Sequence, residues 1–105
     1  MGVCIEERKT YMITEFIEWG SLFDHLHKKK LQIPNERLIE ICEDIALGMC
    51  YLHDRDVLHC DLKSSNILID SGWNLKLCDF GLSAIYQDET RLKQYCGTYG
   101  YMAPE

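Results

Sequence analysis

The sequence predicts an α+β fold, and three observations carry that reading. Thr10 to Phe16 is rich in β-branched and aromatic residues, which suit a strand. Leu38, Ile41, Ile45, Met49 and Leu52 recur at intervals of 3, 4, 4 and 3 residues, the period of one face of a helix. Beyond Asp54 that period is lost, and short apolar pieces alternate with turn-forming residues.

In chain order, the first predicted element is the strand over residues 10–16. Glu18-Trp19-Gly20-Ser21 then breaks the pattern, and Ser21 or Asp24 can cap a short helix running towards Lys30. Pro34-Asn35 is a second stop-and-start signal, after which the amphipathic pattern predicts a helix from Asn35 to His53. Val57-Leu58, Ile67-Leu68-Ile69 and Leu75-Lys76-Leu77 follow as short apolar pieces. The last two predict a hairpin over 67–78, turning near Asp70 to Asn74. From Phe80 onward the chain is polar, rich in Tyr and Thr and without period, and it reads as a long loop. Loops beyond about 12 to 15 residues are usually functional. No internal repeat or linker is visible.

Length and composition narrow the function. With 105 residues, the chain is one domain or part of one. At 47% hydrophobic and 27% charged, with 7 Gly and 2 Pro, it is neither collagen-like nor wholly disordered. A net charge of −6 argues against a nucleic-acid or anionic-lipid footprint, and Lys28-Lys29-Lys30 reads as a solvated helix end. No apolar stretch approaches the roughly 20 residues of a membrane span, and no signal peptide follows Met1, so the chain reads as cytoplasmic. The 6 cysteines contain no C-x-x-C pair and read as reduced, mostly buried thiols. His25 and His27 cannot share one helix face, which argues against a metal site there.

One set of residues carries chemistry: His59-Cys60-Asp61-Leu62-Lys63-Ser64-Ser65-Asn66, then Asp79-Phe80-Gly81, then Ala103-Pro104-Glu105. Here the chain resembles the eukaryotic protein kinases, whose H-R-D-L-x-x-x-N, D-F-G and A-P-E signatures stand in this order. The match of many fixed positions makes coincidence negligible. Phosphoryl transfer works on highly charged oxygens, so catalysis is mostly positioning and electrostatic stabilisation, and Mg²⁺ favours hard oxygen ligands. The resemblance implies Asp61 and Lys63 as catalytic residues, the first orienting the acceptor hydroxyl, the second placing a cation beside the phosphoryl group. It implies Asn66 and Asp79 as Mg²⁺ ligands and ATP contacts. It also implies Thr14 as gatekeeper, Glu15 to Ile17 as the hinge meeting adenine, and Leu68 as the pocket floor. By the same resemblance His59 packs on Phe80 and Thr98 braces Asp61 and Lys63. Cys78 lines the back of the nucleotide site, where it is a candidate for a thiol-reactive ligand.

Lys63 and Thr98 resemble the serine/threonine kinases. The S-S-N of the catalytic loop, Gly20-Ser21-Leu22 and the G-T-Y-G-Y-M-A-P-E ending resemble the tyrosine-kinase-like group, which includes Raf-like and plant receptor-like kinases. The implied organisation is a partial kinase domain over 1–105: hinge strand 10–16, hinge and following helix 17–30, long helix 35–53, catalytic loop 59–66, hairpin 67–78 and activation segment 79–105. In fold terms this is the hinge strand plus the first half of a mainly helical lower lobe.

Two departures from the family pattern shape the expectations. Cys60 stands where most kinases carry Arg, and a thiol cannot pair with an activation-segment phosphate. Phosphorylation at Thr90, Tyr95 or Thr98 is therefore expected to act more on substrate docking than on loop ordering. No G-x-G-x-x-G occurs, no V-A-x-K precedes Thr10, and the residues cover about two-fifths of a domain of roughly 250 residues. The chain reads as a fragment of a Mg·ATP-dependent kinase, with a Ser/Thr-bearing protein as substrate and the remaining lobes as partners in the parent. By itself it is expected to be inactive and marginally folded, with a mobile Phe80 to Met102 loop. The alternative is a non-catalytic truncated kinase or pseudokinase serving as an interaction module. The parent is expected to be cytoplasmic or the intracellular part of a membrane receptor.

Overall fold

A computed structural model of the chain describes residues 1–7, 9–30, 32–86 and 96–104. Thr90, Tyr95, Glu105 and the part of the expected loop over 87–95 lie outside the described residues. The chain opens with two antiparallel strands, β1 (Gly2–Glu6) and β2 (Lys9–Ile13), in register from Gly2 opposite Ile13 to Glu6 opposite Lys9. The predicted strand over 10–16 is thus shifted. Pairing stops at Ile13 because β1 begins at Gly2, and Thr14 to Phe16 continue without a ladder. All the strand residues of this hairpin are exposed.

Gly20, at φ 79°, turns the chain so that its carbonyl accepts from the N–H of Ile69 at 2.9 Å. Only a residue without a Cβ adopts that left-handed conformation freely. Ser21 and Asp24 then cap each other. The Asp24 N–H donates to Ser21 Oγ at 3.2 Å, the Ser21 N–H donates to Asp24 Oδ2 at 3.3 Å, and the Ser21 hydroxyl donates to the same Oδ2 at 2.7 Å. This reciprocal box satisfies the first free N–H groups of the short helix. Its last turn, Asp24–Lys28, is π-helical and closes with the Lys29 N–H on the Asp24 carbonyl at 2.8 Å. His25 is buried between Trp19 and Trp73 and Nδ1 lies 2.9 Å from the Ser21 carbonyl, whereas His27 stacks on Phe23.

The helix α1 spans Asn35–His53, as the 3,4,4,3 spacing predicts. Ile41 is its buried centre and meets Leu22, Ile67 and Ile69, with Ile45, Trp73, Leu75 and Leu77 packed around them. The predicted face is covered unevenly, since Leu38 remains 38% exposed and Leu47, on the outer side, 68%.

After α1 come β3 (Val57–Leu58), β4 (Ile67–Ile69) and β5 (Leu75–Leu77). β4 and β5 form the predicted hairpin, Ile67 opposite Leu77 and Ile69 opposite Leu75. Its turn is tied by the Asp70 carboxylate, which accepts from the N–H groups of Gly72 at 2.8 Å and Asn74 at 3.0 Å. The region read as loop from Phe80 holds a 3₁₀ turn, Phe80–Leu82, and a strand β6 (Ala84–Ile85) antiparallel to β3. A ladder of two residues is too short to impose a visible period, so its sequence resembles loop.

Candidate active site

The loop between β3 and β4 is held by a buried histidine. His59, 1% exposed, has Nε2 at 3.0 Å from the Cys78 carbonyl, while the Asp61 N–H donates to Nδ1 at 3.3 Å. That pattern requires the tautomer protonated at Nε2, because Nδ1 must accept. Its ring lies 5.1 Å from that of Phe80, the stack the resemblance implies. Ser83 Oγ donates to the His59 carbonyl at 3.2 Å. The histidine therefore joins the loop to the residues on either side of Asp79.

Asp61 is buried at the centre of a converging set. Its Oδ2 pairs with Lys63 Nζ at 2.7 Å and accepts from Asn66 Nδ2 at 3.1 Å, and its Oδ1 accepts the Thr98 hydroxyl at 2.5 Å. Lys63 Nζ also donates to Thr98 Oγ1 at 2.7 Å, closing a three-membered ring of side chains. Lys63 first, then Thr98 and Asn66, hold the Asp61 carboxyl below the usual aspartate range, outweighing burial. A carboxylate offers about four lone-pair sites. Three are used among the described residues, which leaves one there for an incoming hydroxyl. The ammonium of Lys63 has three donors and uses two among the described residues.

Asn66 spends both amide hydrogens on Asp61, on the main-chain carbonyl at 3.0 Å and on Oδ2. Its Oδ1 has no donor among the described residues and is left as a hard oxygen. The Asn66 carbonyl accepts from the Cys78 N–H at 2.9 Å, which places Asp79 at the same end of the hairpin. Asp79 is exposed and left-handed at φ 62°, ψ 69°, with the Gly81 N–H on its carboxylate at 3.4 Å. An amide oxygen and a carboxylate at one hairpin end match the ligand preference of Mg²⁺.

The residues expected to form the hinge reach the hairpin by another route. Glu15 forms an ion pair with Lys76 of β5 at 2.5 Å, and Lys76 stands opposite Leu68 on β4, so the two side chains share a face. Thr14 is exposed and Ile17 half-buried on the same extended segment. The structure thus gathers Asp61, Lys63 and Asn66 by direct contact, attaches Asp79 through Cys78, and joins Glu15 to the Leu68 face. The thiol of Cys78 is pushed up by burial and by the Asp79 charge. Both influences work against the thiolate form there.

Two contacts escaped the sequence reading: Lys76 to Glu15, and the pair of hydroxyls of Ser64 and Tyr101 at 3.0 Å. Both join residues far apart in sequence, and no local pattern marks them.

Known proteins resemble this chain over its whole length. The family model of the protein kinase domain matches residues 1–105. A protein of Dictyostelium discoideum named as a probable serine/threonine-protein kinase is 39% identical over 105 residues, covering 100% of this chain and 12% of that protein. A serine/threonine-protein kinase of Arabidopsis thaliana is 35% identical over 105 residues, covering 100% of this chain and 18% of its own length. A dual specificity protein kinase of Dictyostelium discoideum is 39% identical over 110 residues, covering 100% of this chain and 22% of its own length. The chain spans less than a quarter of the length of each of these relatives.

Proposed function

Because the chain belongs to the protein kinase family, we propose that it supplies the phosphoacceptor and metal-binding part of a serine/threonine protein kinase, which transfers the γ-phosphoryl group of Mg·ATP to protein hydroxyls. The observation that carries this reading is the ring of Asp61, Lys63 and Thr98. Asp61, kept ionised by its neighbours, accepts and orients the substrate hydroxyl at its remaining lone pair. Its lowered basicity suits it to hold that proton in line rather than to remove it early. Lys63 directs its spare donor at the transferred group.

Protein kinases as a family use ATP and Mg²⁺. The free Asn66 Oδ1 and the exposed Asp79 carboxylate fit that ion by donor type, and these residues would hold it. Bound there, Mg²⁺ neutralises charge on the phosphate oxygens. Thr14, Glu15, Ile17 and Leu68 form the adenine edge of the same site, with the Lys76 ion pair keeping the hinge against the hairpin.

In fold terms we assign the described elements to the hinge strand, the first half of the mainly helical lower lobe, its short hairpin and the start of the activation segment. The loop covering the phosphates and the lysine strand belong to the rest of the parent protein. The motif wording supports the tyrosine-kinase-like group, with His-Cys-Asp in place of His-Arg-Asp. A cytoplasmic setting, or the intracellular side of a receptor, fits six reduced thiols.

The deciding experiment is phosphoryl transfer by the full-length protein and its Asp61→Asn variant. The expected result is a loss of roughly 10²- to 10⁴-fold in turnover, as for removal of a positioned acid–base group, with nucleotide binding retained. Unchanged turnover would overturn the assignment.

A further inference from the structure

Cys60 immediately precedes Asp61, in left-handed backbone at φ 63°, with its Sγ–H on the Leu58 carbonyl at 3.6 Å. Cys96 begins the described segment that delivers Thr98 to Asp61. Both thiols are free and half-buried, and both line one cleft of about 200 Å³ shared with Asp61, Gly97, Thr98 and Met102. The two segments touch along their backbones. A Cβ added at Gly97 would stand 3.1 Å from the Cys60 carbonyl oxygen, and Gly97 itself has φ 116°. Glycine at 97 thus allows the chain carrying Cys96 to lie directly against the chain carrying Cys60.

We propose that Cys60 and Cys96 form a reversible disulfide on exposure to a peroxide, fastening the catalytic loop to the Thr98 segment and closing the cleft beside Asp61. Burial, and then the neighbouring Cys96 thiol, push the Cys60 thiol up, in keeping with two sulfurs held side by side. Cys60 accordingly takes the second step. In the first, Cys96 Sγ attacks one peroxide oxygen, the O–O bond breaks, and the departing hydroxide leaves as water with the thiol proton. In the second, Cys60 Sγ attacks the resulting sulfenic sulfur, the S–O bond breaks, the S–S bond forms, and the hydroxyl leaves as water with the Cys60 proton. Two thiols are oxidised and one peroxide is reduced to two waters. A cellular dithiol reverses the bond. The bond needs only the two sulfurs, while its effect on turnover rests on the kinase reading above.

The test treats the full-length protein with hydrogen peroxide, alkylates the remaining thiols and maps the digest by mass spectrometry. A linked peptide joining Cys60 to Cys96, lost on treatment with dithiothreitol and absent in Cys96→Ser but present in Cys42→Ser, is the expected result. Full alkylation of both cysteines, or links to other cysteines, would overturn the proposal. Phosphoryl transfer by the same samples should fall with peroxide and return with dithiothreitol in the wild type, and stay insensitive in Cys96→Ser. A linked protein that transfers at the reduced rate would overturn the closing of the cleft. A reduced protein with no transfer at all would count against the kinase reading alone, since the linked peptide still decides the bond.

Discussion

Three side chains share the Asp61 carboxylate, and Thr98 is the one that reaches it from the far end of the chain. Its hydroxyl donates to Asp61 and accepts from Lys63, so removing it leaves both charges short of a partner. A hydrogen bond to a charged group is worth about 1.5 to 3 kcal/mol, so Thr98→Ala should lower turnover about tenfold to a hundredfold, and Thr98→Ser should restore most of it. The pH profile gives a second reading. With one donor lost, the Asp61 carboxyl is held down less strongly, its pKa rises, and the acidic limb of the activity profile moves to higher pH. An unmoved limb would mean that Thr98 only shapes the loop. Asp24 gives a separate pH reading, on stability. Lys28 first, then Ser21, lower its pKa from 3.8 to about 2. The folded state therefore binds fewer protons than the unfolded chain, so the stabilisation is complete above the unfolded value and is lost as pH falls from about 4 to about 2. Acid unfolding curves of the wild type and Asp24→Asn should separate above pH 4 and converge near pH 2. Ser21→Ala, which removes the hydroxyl half of the box, should cost about 1 kcal/mol at neutral pH.

At the scale of elements, α1 is a test of packing. Ile41 is 4% exposed in the cluster with Leu22, Ile67 and Ile69, while Leu47 of the same helix is 68% exposed. Ile41→Ala should cost about 2 to 5 kcal/mol through lost burial and the cavity left behind, and Leu47→Ala should stay within about 0.5 kcal/mol. Urea midpoints would check this, with Ile41→Val, at about 0.5 to 1.5 kcal/mol, as the milder variant if alanine abolishes folding. Equal costs at 41 and 47 would place the wrong face inward. The legibility of these elements follows from the range of the interactions that specify them. α1 was readable to the residue because five apolar positions repeat one local period, and the hairpin because Asp70-Ser71-Gly72 announces its own turn. Asp61, Lys63, Asn66 and Asp79 stood out because they sit in motifs that resemble the kinase signatures, and the fold brings the first three into direct contact. β1 was not, since its Val3 and Ile5 are exposed and alternate against no core. β6 was not, because its two residues are strand only through β3. The approach of Cys96 to Cys60 and of Lys76 to Glu15 is set by the folded chain, and no pattern within a short window could have announced it.

Across the whole molecule, apolar surface is gathered thinly. The Cα radius of gyration is 15.4 Å, against about 13 Å for a compact domain of this length. Among the described residues the strands make three separate two-stranded sheets rather than one, and an isolated two-stranded hairpin is marginal in water. The buried apolar side chains among the described residues are Leu22, Ile41, Ile67, Ile69 and Ala84, while Val3, Ile5, Met12, Ile13 and Phe16 stand largely in solvent near the first two strands. Exposed apolar surface on this scale is what a further packing surface covers. The 105-residue polypeptide by itself should therefore bind a hydrophobic dye such as anilinonaphthalene sulfonate strongly and melt broadly, below the 45 to 65 °C typical of mesophilic domains. The same residues within a longer protein that supplies the covering surface should lose the dye signal and melt cooperatively. The loop over 59–66 depends on this contrast less than residues 2–16 do, because His59, Asp61 and Asn66 are buried by their own neighbours. Hydrogen exchange of the isolated polypeptide should accordingly show the N–H groups of Asp61 and Cys78 better protected than those of β1 and β2. A sharp transition above 65 °C with uniform protection would mean that these residues complete their own core, and that the exposed hinge face is not waiting for a partner surface.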